Sequence, residues 1–148
     1  MSREIKYLAY FKPNGQGQTY AGTYEVISID FNYQLIKVKR ESVFAESLFR
    51  FDEVILREFT GLRDKNGKEV FEGAILGNSL PEIEVEGEVE WDNDLASFVL
   101  VSRDAFGKAM ATFRFWNKPS YQMWRNSTEF EIVGDIYSNP ELIRAELK

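Results

Sequence analysis

The chain has 148 residues, of which 44% are apolar and 15% aromatic, so its composition predicts a folded core rather than disorder. It contains neither cysteine nor histidine, which excludes disulfides and thiol nucleophiles and removes the commonest general base and transition-metal ligand. The net charge of −6 argues against nucleic-acid binding by the whole surface, although a local basic patch is compatible with it. No apolar run is long enough to span a membrane and the N-terminus lacks an apolar signal core, so we expect a soluble intracellular protein without a membrane partner.

The first part of the chain shows the alternation of apolar and polar residues that is typical of β-strands. We predict strands over residues 5–11, 20–31, 34–39 and 54–59. Asn32 and Tyr33 suit a two-residue turn between the second and third of these strands. Residues 41–51 fit neither the helical nor the strand period, and we interpret them as a loop with one helical turn at most. We therefore predict that residues 1–58 form an N-terminal β segment packed on residues 59–148, either as two domains or as one continuous domain.

Further short strands and turns are predicted in the second part of the chain. Asn66-Gly67 is the strongest turn signal because both positions tolerate positive φ, and Gly73 marks a second turn. Strands are expected over residues 74–76 and 130–137, and aromatic-rich strands or loops over residues 110–116 and 121–124. Asn139 and Pro140 are typical of a helix start, which predicts a short C-terminal helix over residues 140–148. We expect no internal repeat, and the many short strands indicate a mostly antiparallel, barrel-like or rolled β protein.

The most regular stretch is an acidic row, in which every even-numbered residue from Glu82 to Asp94 is a carboxylate. Because successive side chains of a strand point to opposite faces, the row predicts a strand with its acids toward water and its aliphatic residues inward. Asp92-Asn93-Asp94 suits a turn, and residues 96–102 form the predicted returning strand. The residues that we single out as an acidic surface are Glu82, Glu84, Glu86, Glu88 and Glu90.

We consider four possible roles for this acidic surface. The simplest is a solvated edge that resists aggregation, and we favour it. A docking face for a basic partner, or a mimic of nucleic acid, would use the same carboxylates. A cation site is disfavoured, since alternate strand residues lie about 7 Å apart and cannot converge on one ion about 2.3 Å away. We therefore expect no metal.

A basic-aromatic segment, residues 105–128, contains cations and aromatic residues but no acid. The residues that we select from it as candidates for partner binding are Arg114, Trp116, Lys118, Tyr121, Trp124 and Arg125. The aromatic residues could form a core beneath a rim of solvated cations. They could equally form a protein interface, in which Trp, Tyr and Arg supply most of the binding energy. Single-stranded nucleic acid would also suit the segment, because phosphates pair with cations and bases stack on rings.

Catalysis by two carboxylates needs an apolar pocket that raises the pKa of one of them. Glu69, Glu72 and the acidic row contain enough carboxylates for such a pair, but the row is predicted to be exposed. The glycines of residues 60–76 do not form a phosphate loop either, since Gly67-Lys68 is followed by Glu69 and then by a predicted strand. We therefore expect neither enzymatic activity nor a cofactor.

Residues 60–76 resemble the T-G-L-x-D-x-x-G-x-x-I-Y-E-G-D-I-V signature of the YopX-like phage and prophage proteins. Residues 87–92 (GEVEWD) and 134–142 (GDIYSNPEL) are similar to the other two landmarks of that family. The N-terminal part, including residues 28–31 (SIDF), is also similar, so the resemblance covers nearly the whole chain. Ala74 stands where the family signature has an acid, and Phe71 stands where it has Tyr.

The resemblance implies a mainly β fold with an SH3-like barrel in its second half, encoded by a phage or prophage and located in the bacterial cytoplasm. It implies no reaction, cofactor or catalytic residue, and barrels of this kind bind peptides, RNA and DNA alike. We predict an accessory protein that binds another protein or a second copy of itself. The alternatives are nucleic-acid binding through residues 105–128 and, more weakly, an acidic mimic of nucleic acid that acts on a host protein.

Overall fold

The computed structural model describes residues 4–12, 22–40, 46–104, 106–115, 124–125 and 127–143. Within these ranges the chain forms twelve β-strands and three short 3-10 turns. It divides into two compact units, Met1–Phe59 and Thr60–Lys148. None of the described helical turns has the length and apolar character needed to cross a membrane.

The first unit is a sheet of consecutive antiparallel strands. These strands are β1 (Tyr7–Phe11), β2 (Gly22–Asp30), β3 (Leu35–Lys39), β4 (Glu46–Arg50) and the first part of β5 (Val54–Arg63). Their order in the sheet is β4-β3-β2-β1-β5, so the last strand returns to pair with the first. A 3-10 turn, Phe51–Glu53, separates β4 from β5.

This first sheet is strongly curled around its own core. In a flat sheet β1 and β4 would lie about 14 Å apart, because three strand spacings separate them. Instead the rings of Phe11 on β1 and Phe49 on β4 approach to 4.6 Å between centroids. Ala9, Ile36 and Val38 are fully buried between these rings and the neighbouring strands. The curl therefore gives one sheet of five short strands an enclosed apolar interior.

Residues 46–53 differ from the loop predicted for this region, because they form β4 and the 3-10 turn. Phe49 is buried, whereas Leu48 is 58% exposed at the edge of the sheet. An apolar residue on the solvent side obscures the period-two pattern, which is why the sequence did not indicate a strand here.

The second unit contains the end of β5 and the remaining strands. They are β6 (Glu69–Phe71), β7 (Ala74–Asn78), β8 (Glu84–Asp92), β9 (Ser97–Arg103), β10 (Ala109–Phe115), β11 (Trp124–Arg125) and β12 (Glu131–Asp135). The main sheet has the order β11-β10-β9-β8-β7-β12, and β6 lies beside β5. The pairs are antiparallel except that of β10 with the short β11, which is parallel.

The two units share one topology. In each, four consecutive strands form a meander, β1–β4 or β7–β10, and a later strand that follows a 3-10 turn returns to pair with the first of them. In the second unit that turn is Ser127–Glu129 and the returning strand is β12, which pairs with β7. The predicted mainly antiparallel β fold is therefore confirmed. The closed SH3-like barrel predicted for residues 59–148 is not shown, since the outermost described strands β11 and β12 do not pair with each other.

The core of the second unit lies on one face of its main sheet. Leu76, Val89 and Leu100 from three adjacent strands are each at most 1% exposed and pack together. Phe113 and Phe115 of β10 pack against this cluster. These two members of the basic-aromatic segment therefore belong to the core.

A six-residue pattern, R-D-x-x-G-K, occurs twice in the second unit, although we expected no internal repeat. The described residues of the two stretches, 63–68 in the first and 103–104 and 106–108 in the second, make the same hydrogen bonds. In each turn the Asp N–H donates to the Lys carbonyl at 2.9 Å, and the Asp carboxylate accepts the Lys N–H at 2.9 Å. Gly67 and Gly107 have φ of 80° and 83° in these turns, a conformation that favours glycine.

The predicted C-terminal helix over residues 140–148 is wrong for the part that the structure describes. Pro140–Leu142 is a single 3-10 turn, and residues 144–148 lie outside the described residues. The Asn139 side chain does not cap this turn, because its Oδ1 accepts the N–H of Asp135 at 3.2 Å. The side chain that the sequence predicted as a helix cap therefore bonds the backbone of the segment before the turn.

Gly87 of β8 offers a test of the main sheet, because a Cβ at this position would lie 2.5 Å from the backbone oxygen of Val101. We expect G87A to lower the free energy of unfolding by about 3 kcal/mol, since neighbouring backbones would have to separate. G67A is the matched control: its positive φ is unfavourable for alanine, but no atom lies within 4 Å, so we expect a loss of about 1 kcal/mol. Urea unfolding measures both, and an equal or smaller loss for G87A would contradict the packing described.

Candidate functional site

The acidic row lies on the strand β8, as its period predicted. Val89 points into the core with 0% exposure, while Glu88 and Glu90 lie on the opposite face of the sheet. On that face Glu88 is paired with Val101 and Glu90 with Val99, both on β9 and both buried. The face opposite the core is therefore covered rather than open to water at this point.

A groove runs over this covered face, with a volume of about 460 Å³. We call it the β8 groove. Its lining residues are Glu88, Glu90, Arg103, Gly107, Ile136, Tyr137, Pro140 and Ile143. Charged side chains from β8 and β9 thus face mainly apolar side chains from residues 136–143.

The prediction that the acids of the row face water is wrong for Glu88, which is 5% exposed. Glu82 and Glu84 are exposed, and Glu86 and Glu90 are half-buried. The inward placement of the odd residues fails at the ends of the strand, where Val85 is 36% and Trp91 is 42% exposed. Alternation along a strand determines which side chains share a face, but other segments determine whether that face is covered.

Arg103 holds the two carboxylates of the groove. Its Nε donates to Glu88 Oε1, and its Nη2 donates to Glu90 Oε2 at 2.5 Å. Its Nη1 donates to the carbonyl oxygen of Gly107 at 2.9 Å, which ties the guanidinium to the second R-D-x-x-G-K turn. All three guanidinium nitrogens are therefore bonded, and one positive charge is shared by two negative ones.

Burial changes the protonation of this cluster. It raises the pKa of Glu88 above its ordinary value of 4.5, the Arg103 hydrogen bond opposes that rise, and the neighbouring Glu90 charge adds to it. Burial alone would lower the pKa of Arg103, but hydrogen bonds to Glu88 and Glu90 outweigh it and raise that pKa. Glu131 behaves oppositely to Glu88, because hydrogen bonds from the Ser79 hydroxyl and backbone N–H lower its pKa.

A chain of hydrogen bonds positions the apolar side of the groove. The Gly73 N–H donates to the carbonyl of Val89 at 2.8 Å, and the Ile136 N–H donates to the carbonyl of Gly73 at 2.9 Å. The Asp135 carboxylate accepts the N–H groups of Tyr137 and Ser138 at 3.0 and 2.8 Å. The three stretches that carry the YopX-like signature are thus joined around the groove.

Arg103 was not among the site residues predicted from the sequence. Its pairing with Glu88 depends on the strand register, in which Val101 opposes Glu88 and Arg103 follows two residues later on the same face. The one sequence signal was the recurrence of R-D-x-x-G-K, since Arg63 also donates from Nη1 to the carbonyl of Gly67, at 3.4 Å.

The structure brings together only part of the predicted partner-binding set. Arg114 is half-buried on β10, and Trp124 and Arg125 form β11, whose backbone pairs with Arg114 and Phe115. Trp116, Lys118 and Tyr121 lie outside the described residues. The described part of the basic-aromatic segment also exposes Phe106 (84%) and Lys108 at the β9–β10 turn.

Within the described ranges, no three Asp, Glu, His or Cys side chains are grouped so that they could hold a metal ion. In the β8 groove, the carboxylates of Glu88 and Glu90 are bonded to Arg103. The arrangement is suited to binding a cationic or hydrogen-bonding group at the remaining carboxylate positions.

The opposite pKa shifts predict opposite effects of pH on stability. Between pH 4.5 and the raised pKa of Glu88, the folded protein holds more protons than the unfolded chain, so this group's contribution to the free energy of unfolding falls as pH rises. Glu131, with a lowered pKa, contributes stability above pH 4.5 that is lost as pH falls through its folded pKa. We expect E88Q to remove the fall in the free energy of unfolding above pH 4.5 and E131Q to remove the loss at lower pH. Urea unfolding at a series of pH values between about 3 and 8 measures both. Loss of the same slope in both variants would contradict these assignments.

Removing Arg103 should be costly, because Glu88 would remain buried without its cation. We expect R103A to lower the free energy of unfolding at neutral pH by about 3 kcal/mol. The double variant E88Q/R103A should recover much of that loss, since the buried charge is then absent. Losses that add up in the double variant would show that the two side chains are not coupled.

Comparison with known proteins identifies the family of this chain. None of the curated proteins matches it. Among solved structures, the crystal structure of protein EF1440 from Enterococcus faecalis is similar, with 20% sequence identity over 97% of this chain and 100% of that chain and a TM-score of 0.49. The profile described as YopX protein matches residues 13–144, and the chain therefore belongs to the YopX family.

Proposed function

We propose that this YopX-family chain is a phage- or prophage-encoded accessory protein that acts in the host cytoplasm by binding a protein partner, not by catalysis. The observation that carries the proposal is the β8 groove, in which acidic and apolar walls face each other. Its volume of about 460 Å³ is within the range of ligand-binding clefts, about 300–1,000 Å³.

The charge of the groove favours a basic partner. Glu88 and Glu90 carry two negative charges when ionised, and Arg103 compensates only one of them. Glu88 is buried and Glu90 is half-buried, so their interaction with an incoming cation is stronger than that of fully exposed carboxylates. A Lys or Arg side chain would meet this net negative charge.

The opposite wall of the groove favours a protein segment over a small cation. Ile136, Pro140 and Ile143 offer apolar surface, and Tyr137 adds an aromatic ring with a polar end. A segment with a basic side chain between apolar residues would match both walls. Proteins supply such segments readily, whereas polyamines and metal ions would leave the apolar wall unused.

Binding is preferred to catalysis because of the bonding of the two carboxylates. The raised pKa of Glu88 is a feature that catalytic acids share. However, a general acid must pass its proton to a substrate, and Arg103 bonds both Glu88 and Glu90 and favours the anionic form of Glu88. This geometry favours a fixed electrostatic surface.

Nucleic-acid binding through the basic-aromatic segment is the second candidate, supported by the exposure of Phe106 and Lys108 at one turn. Its affinity would fall steeply with salt because counterions are released. Mimicry of nucleic acid by the exposed Glu82 and Glu84 is the weaker candidate. Low-salt gel-shift assays with single- and double-stranded DNA and RNA distinguish the two, since a mimic would not bind and would instead compete with DNA for a host protein.

The proposed site can be tested by quantitative pull-down from host cells with the wild type and E90Q. Loss of one carboxylate charge removes the excess negative charge of the groove, so we expect a specific partner to be retained at least about tenfold less by E90Q. The bound fraction of each captured protein is measured by mass spectrometry.

E84Q is the matched control, because it makes the same chemical change on the same strand at an exposed residue outside the groove lining. Both variants should show wild-type thermal unfolding within a few degrees. If E90Q retains a partner as well as the wild type does, the groove is not the binding site. The same conclusion follows if E84Q loses the partner to the same extent as E90Q.

A further inference from the structure

The strand β4 is the outermost strand of the first unit's sheet. It pairs with β3 on one side, and no other described strand lies on its outer side. An uncovered edge presents backbone N–H and C=O groups that can pair with another strand. The residues of this edge are Glu46, Ser47, Leu48, Phe49 and Arg50.

The hydrogen bonds of β4 establish which backbone groups point outward. The Phe51 N–H donates to the carbonyl of Gln34 at 3.1 Å, so the odd-numbered residues face β3. The Arg50 N–H is instead turned away and donates to Glu53 Oε1 at 2.9 Å. By the same alternation, the backbone groups of Glu46 and Leu48 point to the outer side.

The residues whose backbone groups point outward carry side chains that can pair with those of a second copy. Leu48 is 58% exposed, Glu46 lies two residues before it, and Arg50 lies two residues after it. We propose that β4 pairs with β4 of a second copy, antiparallel and centred on Leu48, so that the two sheets join across a two-fold axis. Glu46 then lies opposite the partner subunit's Arg50, and Arg50 lies opposite the partner subunit's Glu46.

Charge selects this register over the others. Centring the pair on Glu46 would place the two Glu46 carboxylates opposite each other, and centring it on Arg50 would do the same with two guanidinium groups. Like charges in opposed positions are destabilising, whereas opposite charges and paired apolar residues are favourable. Centring on Ser47 or Phe49 would also pair outward backbone groups, but it would place Leu48 opposite Glu46 or Arg50 and leave the opposite charges unmatched. Leu48 is therefore the centre that pairs both the opposite charges and the apolar residues.

The ion pairs already present do not prevent this arrangement. Glu46 lies 3.7 Å from Lys37, and Arg50 lies 3.2 Å from Asp52, in both cases with substantially exposed side chains. Exposed pairs of this kind contribute little and rearrange easily. If the Arg50 N–H stays bonded to Glu53, each outer pair keeps the hydrogen bond from the N–H of Glu46 to the carbonyl of the partner subunit's Arg50 and forgoes the reciprocal one.

Charge reversal and sedimentation velocity over a range of concentrations test the proposal. We expect the wild type to form a dimer, and E46R and R50E each to weaken it by about tenfold or more, because each places like charges opposite each other twice. The exchanged variant E46R/R50E should restore the dimer to within about threefold of the wild type. A wild type that stays monomeric at every concentration, or a dimer that neither reversal weakens, would overturn the proposal.

A cross-link provides a readout that does not depend on affinity. The chain has no cysteine, and opposed residues in a hydrogen-bonded antiparallel pair have Cα atoms about 5.5 Å apart, which suits a disulfide. We expect L48C to form a disulfide-linked dimer under mild oxidation. Y33C is the control, since Tyr33 is 78% exposed but lies in the β2–β3 turn. Equal or slower cross-linking of L48C relative to Y33C would overturn the assigned register.

Discussion

The second unit depends on one guanidinium that bonds two carboxylates and a backbone carbonyl. Without Arg103, Glu88 would be a buried charge with no compensating cation, a situation that costs several kcal/mol in proteins. With it, β8 can carry acids on a face that another part of the chain covers. The same guanidinium joins β8, β9 and the turn at Gly107, so the acidic wall of the β8 groove is fixed in place.

Two units with one topology carry very different charges. Residues 1–59 contain eight basic and eight acidic residues, whereas residues 60–148 contain ten basic and sixteen acidic ones. The net charge of −6 therefore belongs to the second unit. This asymmetry is consistent with separate roles. The first unit is neutral, and its edge strand β4 can pair with β4 of a second copy. The second unit is acidic, and its groove suits a basic partner. Topology alone would not distinguish these roles.

Period-two patterns predicted the β8–β9 hairpin, and turn chemistry predicted the Asn66-Gly67 turn, because both are local properties. The burial of Glu88 was not predictable in this way, since it depends on Arg103 fifteen residues later and on residues 136–143. The strand β4 was missed because its exposed Leu48 obscures the alternation. The C-terminal helix was wrong because Asn139 bonds Asp135 rather than a helix start. The burial of Glu88 is thus a long-range effect, whereas the other two differences arise from residues within or next to the element concerned.

The most direct test of this account is a 13C NMR titration of the glutamate side-chain carboxyls, with each signal assigned by substitution to glutamine. We expect the pKa of Glu88 to lie above the ordinary value of 4.5 and that of Glu131 to lie below it. In R103A the Glu88 transition should move to higher pH, because the compensating cation is lost. A Glu88 carboxyl that titrates at or below the ordinary value, or does not respond to R103A, would contradict the buried Glu88–Arg103 pair and the groove built on it.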